Sequence, residues 1–387
     1  MRILVLGAGL QGSACAFDLL RTADASVTLA DARPGRLPAF LNGAGADRLT
    51  VLPLDAMDHR AVSRAMEGHD AALSALPYYL NVDMARLAVD VGLHFADLGG
   101  NTELVRQQQR LDGAAATKGL SIMPDCGLAP GMVNILAAEG IRRLEVVDSV
   151  KLFVGGLPQH PEPPLGYAIV YSLEGVLDYY TTPSWVVRGG RPVTVDALSE
   201  IETVTFPEPV GDLEAFHTAG GISTMPWEFD GTVPVMEYKT LRYPGHADRM
   251  WTIRELGLLS TEPVSVGAAH VRPRDLFIAL VDPRLRRPDV RDLVALKVVV
   301  SGRRDGAATT VTFQLLDYYD VDHGLSAMMR TTGFSLSVTG QMQVAGQVTR
   351  PGVTTAWEGV PFAPYVDALR HRGIDIQTRS RVGAGGA

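Results

Sequence analysis

The apolar positions of this chain fall into two regimes. Over the first third they form short continuous runs, each followed by a stretch with helical spacing. Residues 3–6, 27–30, 50–54, 71–76, 94–98 and 120–123 read as strands. Their unbroken aliphatic character is that of parallel strands buried on both faces. Helical spacing fills 11–22, 81–91 and 103–118. Strand and helix at this rhythm predict an α/β fold, a doubly wound parallel sheet of the Rossmann type.

The pattern changes after Pro124. Four prolines between 158 and 164 force an irregular path. Residues 150–154, 186–193 and 296–300 read as strands, and Asp305-Gly306, between runs 295–300 and 309–316, is a hairpin turn. A second domain of mixed α+β type with antiparallel pairing is therefore expected. Helical patterns return at 326–348, ended by Pro351-Gly352, and at 364–372, while the tail 383–387 is small and flexible in composition.

A length of 387 residues suits two domains, and 46% hydrophobic with 20% charged residues is an ordinary globular balance. The net charge of −8 argues against a nucleic-acid partner, and the short clusters at Arg284, Arg286, Arg287 and at Arg303, Arg304 read as solvated turns. Cys15 and Cys126 form no disulfide framework, and no cysteine pair has metal-ligand spacing, so no metal is expected. A strand beginning at Arg2 leaves no room for a signal peptide, and no apolar run approaches the ~18–20 residues of a membrane span. These features predict an acidic cytoplasmic protein that handles a small molecule.

Gly7-Ala8-Gly9-Leu10-Gln11-Gly12 follows the first strand and opens a helix, and Asp31 ends the second strand. That context turns a weak GxGxxG match into a dinucleotide fingerprint. Gly7 allows the tight turn, Gly9 the approach of a pyrophosphate, and Gly12 the packing of helix on strand, with Leu10 and Gln11 at the helix N-terminus. Asp31, followed by Ala32 and Arg33, would bond both ribose hydroxyls and repel a 2′-phosphate, which favours NAD; Arg33 keeps dual use open. Asp55 borders the adenine or caps the following helix. Leu76, Pro77 and Tyr78 follow the fourth strand at the ligand-binding edge; Tyr78 and Tyr79 line the nicotinamide pocket or pack a domain interface.

Several segments together resemble the saccharopine dehydrogenase-like oxidoreductases: the fingerprint, residues 73–78 (LSALPY), 97–100 (DLGG) and 125–131 (DCGLAPG). Residues 155–158, 161–164, 172–175, 214–218 and 238–243 are most similar to its lysine 6-dehydrogenase branch. The resemblance runs from Met1 to about Ile374. It implies that the C-terminal helices return to the Rossmann domain, giving 1–127 plus about 327–380 as one domain and 128–326 as a substrate-binding and dimerisation domain. It also implies a homodimer or larger homo-oligomer, and oxidative deamination of the lysine ε-amine by hydride transfer to NAD. The products would be ammonia and a semialdehyde that cyclises to a piperideine carboxylate. A saccharopine-type reductase, a dehydrogenase of a related amine and an NAD-binding sensor without turnover stay open. The motif does not require a cysteine at 126.

Hydride loss needs a neutral amine, and a free lysine amine has a pKa near ~10.4, so the site must help remove a proton. Candidates are His217, whose intrinsic pKa suits best, Lys239, Asp97 and Glu174. Arg242 is the first choice to grip the substrate carboxylate, with the helix opening at Gly131 as a second anchor. Glu174 would hold the α-ammonium, and Tyr78, Tyr171 and Thr218 complete the expected substrate contacts. Plainer readings stand beside these. His217 is a buried structural histidine, Arg242 stacks on Tyr243, Gly131 only starts a packing helix, and Asp97 holds its own loop through Gly99 and Gly100.

Overall fold

The aliphatic runs of the first third do form parallel strands. The computed structural model describes residues 1–35, 37–43, 45–169, 173–287 and 290–383. Its first sheet contains β1 (Arg2–Leu6), β2 (Ser26–Asp31), β3 (Leu49–Pro53), β4 (Ala71–Ser74), β5 (His94–Asp97) and β6 (Ser121–Met123). All its pairings are parallel, and these six strands run in the order β6-β5-β4-β1-β2-β3. The reversal between β1 and β4 is the switch point at which open α/β sheets bind ligands.

Because these strands are buried on both sides, alternate residues feed two cores. Leu4, Leu6, Ala72, Phe95 and Ile122 pack with Val62, Met84, Ala85 and Ala88 on one face. Ile3, Val5, Val27, Leu29 and Leu73 point to the other face, into a larger core that continues without a break into the second sheet. The stretch expected as one helix at 103–118 forms two, Thr102–Gln109 and Asp112–Thr117, the first capped by the Asn101 side chain.

The second sheet contains β7 (Val146–Pro158), β8 (Ser184–Arg188), β9 (Arg191–Val195), β10 (Glu202–Thr205), β11 (Asp212–His217), β12 (Val235–Arg242), β15 (Asp292–Arg304) and β16 (Ala307–Tyr318); β13 (Val264–Val266) and β14 (Ala269–Val271) form a separate hairpin. β7 lies at its centre, parallel to β12 and antiparallel to β15. Asp305 and Gly306 turn the β15–β16 hairpin with φ of 52° and 74°. The run 186–193 is not one strand: Gly189 and Gly190, at φ 57° and 77°, fold it into the β8–β9 hairpin.

The chain then returns. Helix Ala327–Val344 packs against helix Leu10–Thr22, and β17 (Gly352–Val353) pairs with β6 as the seventh strand of the first sheet. Small residues permit the close helix crossing: a Cβ on Gly333 would lie 2.7 Å from the Gln11 carbonyl oxygen and 2.8 Å from the Ala14 Cβ. Buried polar ties fix the register, with Ser337 donating to Asp18 at 2.6 Å and Arg372 pairing with the same carboxylate at 2.8 Å. Helix Phe362–Arg370 follows. The last strand, β18 (Gln377–Val382), then leaves for the second sheet and pairs with β16, so the segment expected to stay with the Rossmann domain to about 380 ends in the other layer. The expected flexible tail lies almost wholly outside the described residues.

Gly333→Ala should destabilise the fold by about 1–3 kcal/mol, since neither the carbonyl nor the Ala14 methyl can yield cheaply. The better helix propensity of alanine, about 1 kcal/mol, offsets only part of this. Denaturant unfolding at constant m-value measures the difference; an unchanged midpoint would contradict the crossing.

Candidate active site

The glycine loop between β1 and helix Leu10–Thr22 is built as its spacing predicts. Gly7 has φ 95°, and its would-be Cβ meets the Ala75 carbonyl oxygen at 3.0 Å. A Cβ on Gly12 would lie 1.8 Å from the Gly7 carbonyl oxygen, so only glycine lets the helix start this close to the strand. A Cβ on Gly9 meets nothing within 4 Å, which leaves the loop open on the side where a pyrophosphate approaches. No side chain caps this helix and its first turn holds no acid. Leu10 is exposed, while the buried Gln11 Oε1 has no hydrogen-bond partner among the described residues.

Asp31 is oriented by two backbone amides: Ala8 N–H donates to one oxygen at 2.9 Å and Arg33 N–H to the other at 2.8 Å. Ala32 and Arg33 are exposed beside it. These residues fit a dinucleotide, with amides for the phosphates and a fixed carboxylate for the ribose. Asp55 accepts from Met57 N–H at 2.9 Å within its own turn, whereas Asp58 caps the next helix. Leu76 N–H donates to Ser74 Oγ, and Pro77 leads into the turn Tyr78–Leu80, where Tyr78 is half-exposed.

Next to this edge, two aspartates are buried together. Asp97 ends β5, and its carboxylate accepts from Gly99 N–H at 2.7 Å, Asp125 N–H at 3.4 Å and Gln108 Nε2 at 2.6 Å. Asp97 thus holds its own loop through Gly99, as the plainer reading had it, but not through Gly100. The Gly100 N–H donates instead to Asp125 at 3.3 Å. Asp125 sits at φ 62°, and its other oxygen accepts a short hydrogen bond from Ser223 of the second domain. Burial pushes the Asp97 carboxyl up to about 6, against the pull of its donors. Burial, with the neighbouring Asp97 charge adding to it, pushes Asp125 up to about 7 although Ser223 and Gly100 donate to it.

Tyrosines close this corner. A Cβ on Gly100 would lie 3.4 Å from the Tyr179 hydroxyl, and one on Gly220 would lie 3.1 Å from the Tyr179 ring. Gly221 lies flat against Tyr238, whose ring atoms would be 2.5 Å from an added Cβ. Burial raises the Tyr179 hydroxyl above its usual range, helped by Tyr238, Asp125, Tyr78 and Asp178. Farther along the Tyr238 face of β12, Arg242 is buried, donating from Nε to the Tyr180 hydroxyl at 3.1 Å with its guanidinium 4.8 Å from the Tyr167 ring centre. Tyr243, the stacking partner expected for it, instead donates its hydroxyl to the Pro158 carbonyl. Thr218 and Thr240 share a hydroxyl hydrogen bond of 2.7 Å.

His217 and Lys239 are not part of this corner. They share a face of the second sheet with Leu213, Ala215 and Leu241, whose core lies on the side opposite the Rossmann domain. His217 is fully buried, with Nε2 3.1 Å from Glu200 and Nδ1 3.3 Å from the Tyr238 carbonyl, and burial holds it below its usual range. Lys239 donates to Glu202 and to the Glu200 carbonyl, each at 2.6 Å. Arg188 and Lys151 complete the ion cluster around Glu237. Glu200, His217 and Glu237 place ligand atoms within 4.8 Å of one another, but Arg188 already bonds both carboxylates, at 2.8 and 2.6 Å. Arg188, Lys151 and Lys239 balance the carboxylates of Glu200, Glu202 and Glu237 in this cluster.

Two more candidates sit at helix starts in the second domain. Glu174 is exposed on helix Leu173–Thr181, and its carbonyl takes Arg274 at 2.9 Å. Gly131, at φ 131°, packs against Gly127 and donates to the Asn134 side chain at 2.7 Å. Met132 and Val133 N–H groups are taken by the Gly127 and Leu128 carbonyls, so this helix start offers no open anion site. Tyr171 lies outside the described residues. Sequence reasoning missed Asp125, Ser223, Tyr179 and Tyr238. Asp125 and Tyr238 open two of the segments that carried the resemblance, but nothing in the sequence shows which face of the sheet they take. Cys126 is buried, donates to the Met123 carbonyl and is pushed far from thiolate formation by burial.

Residues 3–123 match the profile of the saccharopine dehydrogenase NADP binding domain, and residues 127–374 that of the saccharopine dehydrogenase C-terminal domain. A saccharopine dehydrogenase (NADP(+), L-glutamate-forming) of Schizosaccharomyces pombe is 22% identical over 451 aligned positions, covering 97% of this chain and 98% of that protein. Among solved structures, the apo saccharopine dehydrogenase (L-Glu forming) of Saccharomyces cerevisiae superposes with a TM-score of 0.79 at 19% identity, covering 98% of this chain and 99% of that one. Homospermidine synthase of Legionella pneumophila, solved with NAD, gives 0.68 at 12% identity over 99% of this chain and 91% of that one. At these identities the structures show a shared fold.

Gly9→Ala should keep the thermal midpoint, since its methyl meets nothing in the protein, yet weaken dinucleotide binding by about tenfold or more, read by fluorescence titration. Unchanged affinity would place the pyrophosphate elsewhere. A second test follows from Asp125. A carboxyl raised on folding binds its proton more tightly in the folded chain, so its contribution is present at low pH. It is lost as pH rises from about 4, the unfolded value, to about 7. Asp125→Asn should therefore gain stability relative to the parent between pH 5 and pH 8, seen as a growing difference in Tm; a difference independent of pH would refute the raised carboxyl.

Proposed function

Since the chain belongs to the saccharopine dehydrogenase family, we propose that it is an NAD-dependent dehydrogenase that oxidatively deaminates the ε-amine of L-lysine. A nicotinamide-dinucleotide-binding domain and dehydrogenase chemistry come with the family. The choice of lysine and of NAD is our reading. The observation that carries it is the buried pair Asp97 and Asp125, walled by Tyr179 and Tyr238, beside the ligand-binding edge of the Rossmann sheet. A carboxylate in an aromatic setting suits a cationic amine, by charge and by the π faces of the rings.

A bound nicotinamide would supply the acceptor for the hydride that leaves the amine-bearing carbon. The chain's own residues do the rest. The amides at the start of helix Leu10–Thr22 would hold the pyrophosphate, with Gly9 giving access and Gly7 and Gly12 setting the turn. Asp31, fixed by the Ala8 and Arg33 amides, would take the ribose hydroxyls and repel a 2′-phosphate. Arg242, on the Tyr238 and Thr240 face of β12, would grip the substrate carboxylate. Tyr78 and Thr218 would complete the substrate contacts. The imine that forms is hydrolysed to ammonia and the semialdehyde, which closes on its own α-amine.

A second reading is the NADP-linked, glutamate-forming reaction named for the fission-yeast relative. Asp31 speaks against its cofactor. The homo-oligomer expected through the second domain and the cytoplasmic location belong to the same proposal; no helix among the described residues is long and apolar enough to cross a membrane.

NADH formation with L-lysine, ornithine and saccharopine as parallel substrates tests the reading. Lysine with NAD should be preferred, and Arg242→Lys should lower kcat/KM at least tenfold through loss of the bidentate grip. Turnover of saccharopine with NADP alone would install the second reading.

A further inference from the structure

The corner built by Asp97 and Asp125 leaves the removal of the substrate proton without an agent, because His217 and Lys239 lie on the far face of the second sheet. Asp97 is an unsuitable agent. Gly99, Asp125 and Gln108 occupy its two oxygens from inside the Rossmann domain. Asp125 differs in position. It follows β6, and one oxygen reaches across to Ser223 of the second domain while the other accepts from Gly100 N–H at 3.3 Å. Its neighbours are the loop of Gly99 and Gly100, Tyr179 from helix Leu173–Thr181, and the Gly220–Ser223 turn beside Tyr238.

We propose that Asp125 accepts the proton from the substrate ammonium, with Ser223 as the residue that positions its carboxylate. The inference rests on the amine-oxidising function above. In the step, an N–H bond of the ammonium breaks, its electron pair stays on nitrogen, and an O–H bond forms on Asp125. The neutral amine then loses hydride from its carbon to the oxidised nicotinamide, and the nitrogen pair forms the C=N bond. Water adds, ammonium leaves, and the one net proton of the reaction is the one Asp125 returns to solvent.

The groups that face Asp125 tune it in opposite senses. Burial and the Asp97 charge raise it, while the Ser223 hydroxyl and the Gly100 amide lower it. The Cys126 thiol and the hydroxyls of Tyr179 and Tyr238 stay protonated, each raised by burial. Asp97, pushed up to about 6, and Asp125 are thus the two groups of this corner that change charge near neutrality, the range in which a general base works best, and of the two Asp125 is the one that reaches the second domain.

The experiment is the pH profile of kcat/KM for L-lysine on the whole enzyme with NAD, for the parent, Asp125→Asn and Ser223→Ala. The parent should show an acid limb near pH 7. Asp125→Asn should lose at least about a hundredfold at pH 8 and follow the amine's own ionisation near ~10. Ser223→Ala, which removes a donor to the carboxylate, should move the limb to higher pH and keep the plateau; a residue with only a structural role would lower the plateau instead. The infrared band of protonated carboxyl, lost between pH 5 and pH 9, should shrink in Asp125→Asn and shift in Ser223→Ala without any substrate. An unmoved limb and band in both variants would overturn the proposal while leaving the function intact. An inactive parent whose band titrates as described would overturn the function and the proton role that rests on it.

Discussion

Two carboxylates that ought to repel are buried side by side at the ends of β5 and β6, and most of the local architecture answers that conflict. Asp97 and Asp125 leave water for a place where ionisation is disfavoured by burial and, at Asp125, by its neighbour's charge. Backbone amides of Gly99, Gly100 and Asp125, the Gln108 amide and the Ser223 hydroxyl are turned toward them. Gly99 must be glycine for this to fit, since a Cβ there would lie 1.6 Å from the Asp125 carboxylate. Such an arrangement destabilises the fold at alkaline pH, which is how proton-handling sites commonly stand.

The rest of the molecule supplies the stiffness that keeps the pair together. One apolar core runs from β1 through helix Ala327–Val344 into β7, β15 and β16, so the two sheets cannot part without opening it. Polar ties inside that core repeat the lesson: Ser335 donates to the Cys126 carbonyl at 2.8 Å and shares a hydroxyl bond with Tyr365 at 2.7 Å. The segment bearing Asp125 is thereby anchored to the returning helix. Arg106 of the Rossmann domain lies 4.0 Å from the Trp227 ring centre, and Phe229 lies 5.4 Å from Trp357, which adds aromatic contacts between the layers.

The Rossmann half was legible because its signals are local. A glycine spacing, an aliphatic run and an acid at the end of β2 each carry their own physical reason, and Gly9 and Gly12 behave as those reasons require. The second half was less so. His217, Lys239 and Arg242 all fall in segments that carried the resemblance, yet a strand sends successive side chains to opposite faces. Tyr238, Thr240 and Arg242 therefore face one way and Lys239 the other, and sequence alone does not say which side carries the site. Gly131 misled for a related reason. Its helix start lends its free amides to the Gly127 and Leu128 carbonyls rather than to a ligand. Asp125 was hidden by its positive φ, which no residue pattern announces.

Cofactor and amine are proposed to meet at the domain boundary around Asp125, not at the ion cluster of His217 on the outer face. Amide hydrogen exchange in the presence of NAD and L-lysine tests this directly. Exchange should slow at residues 8–13, 98–101 and 220–224, while residues 200–205 and 214–217 exchange as in the free protein. Protection confined to 200–205 and 214–217 would contradict it and move the site to the far side of the sheet.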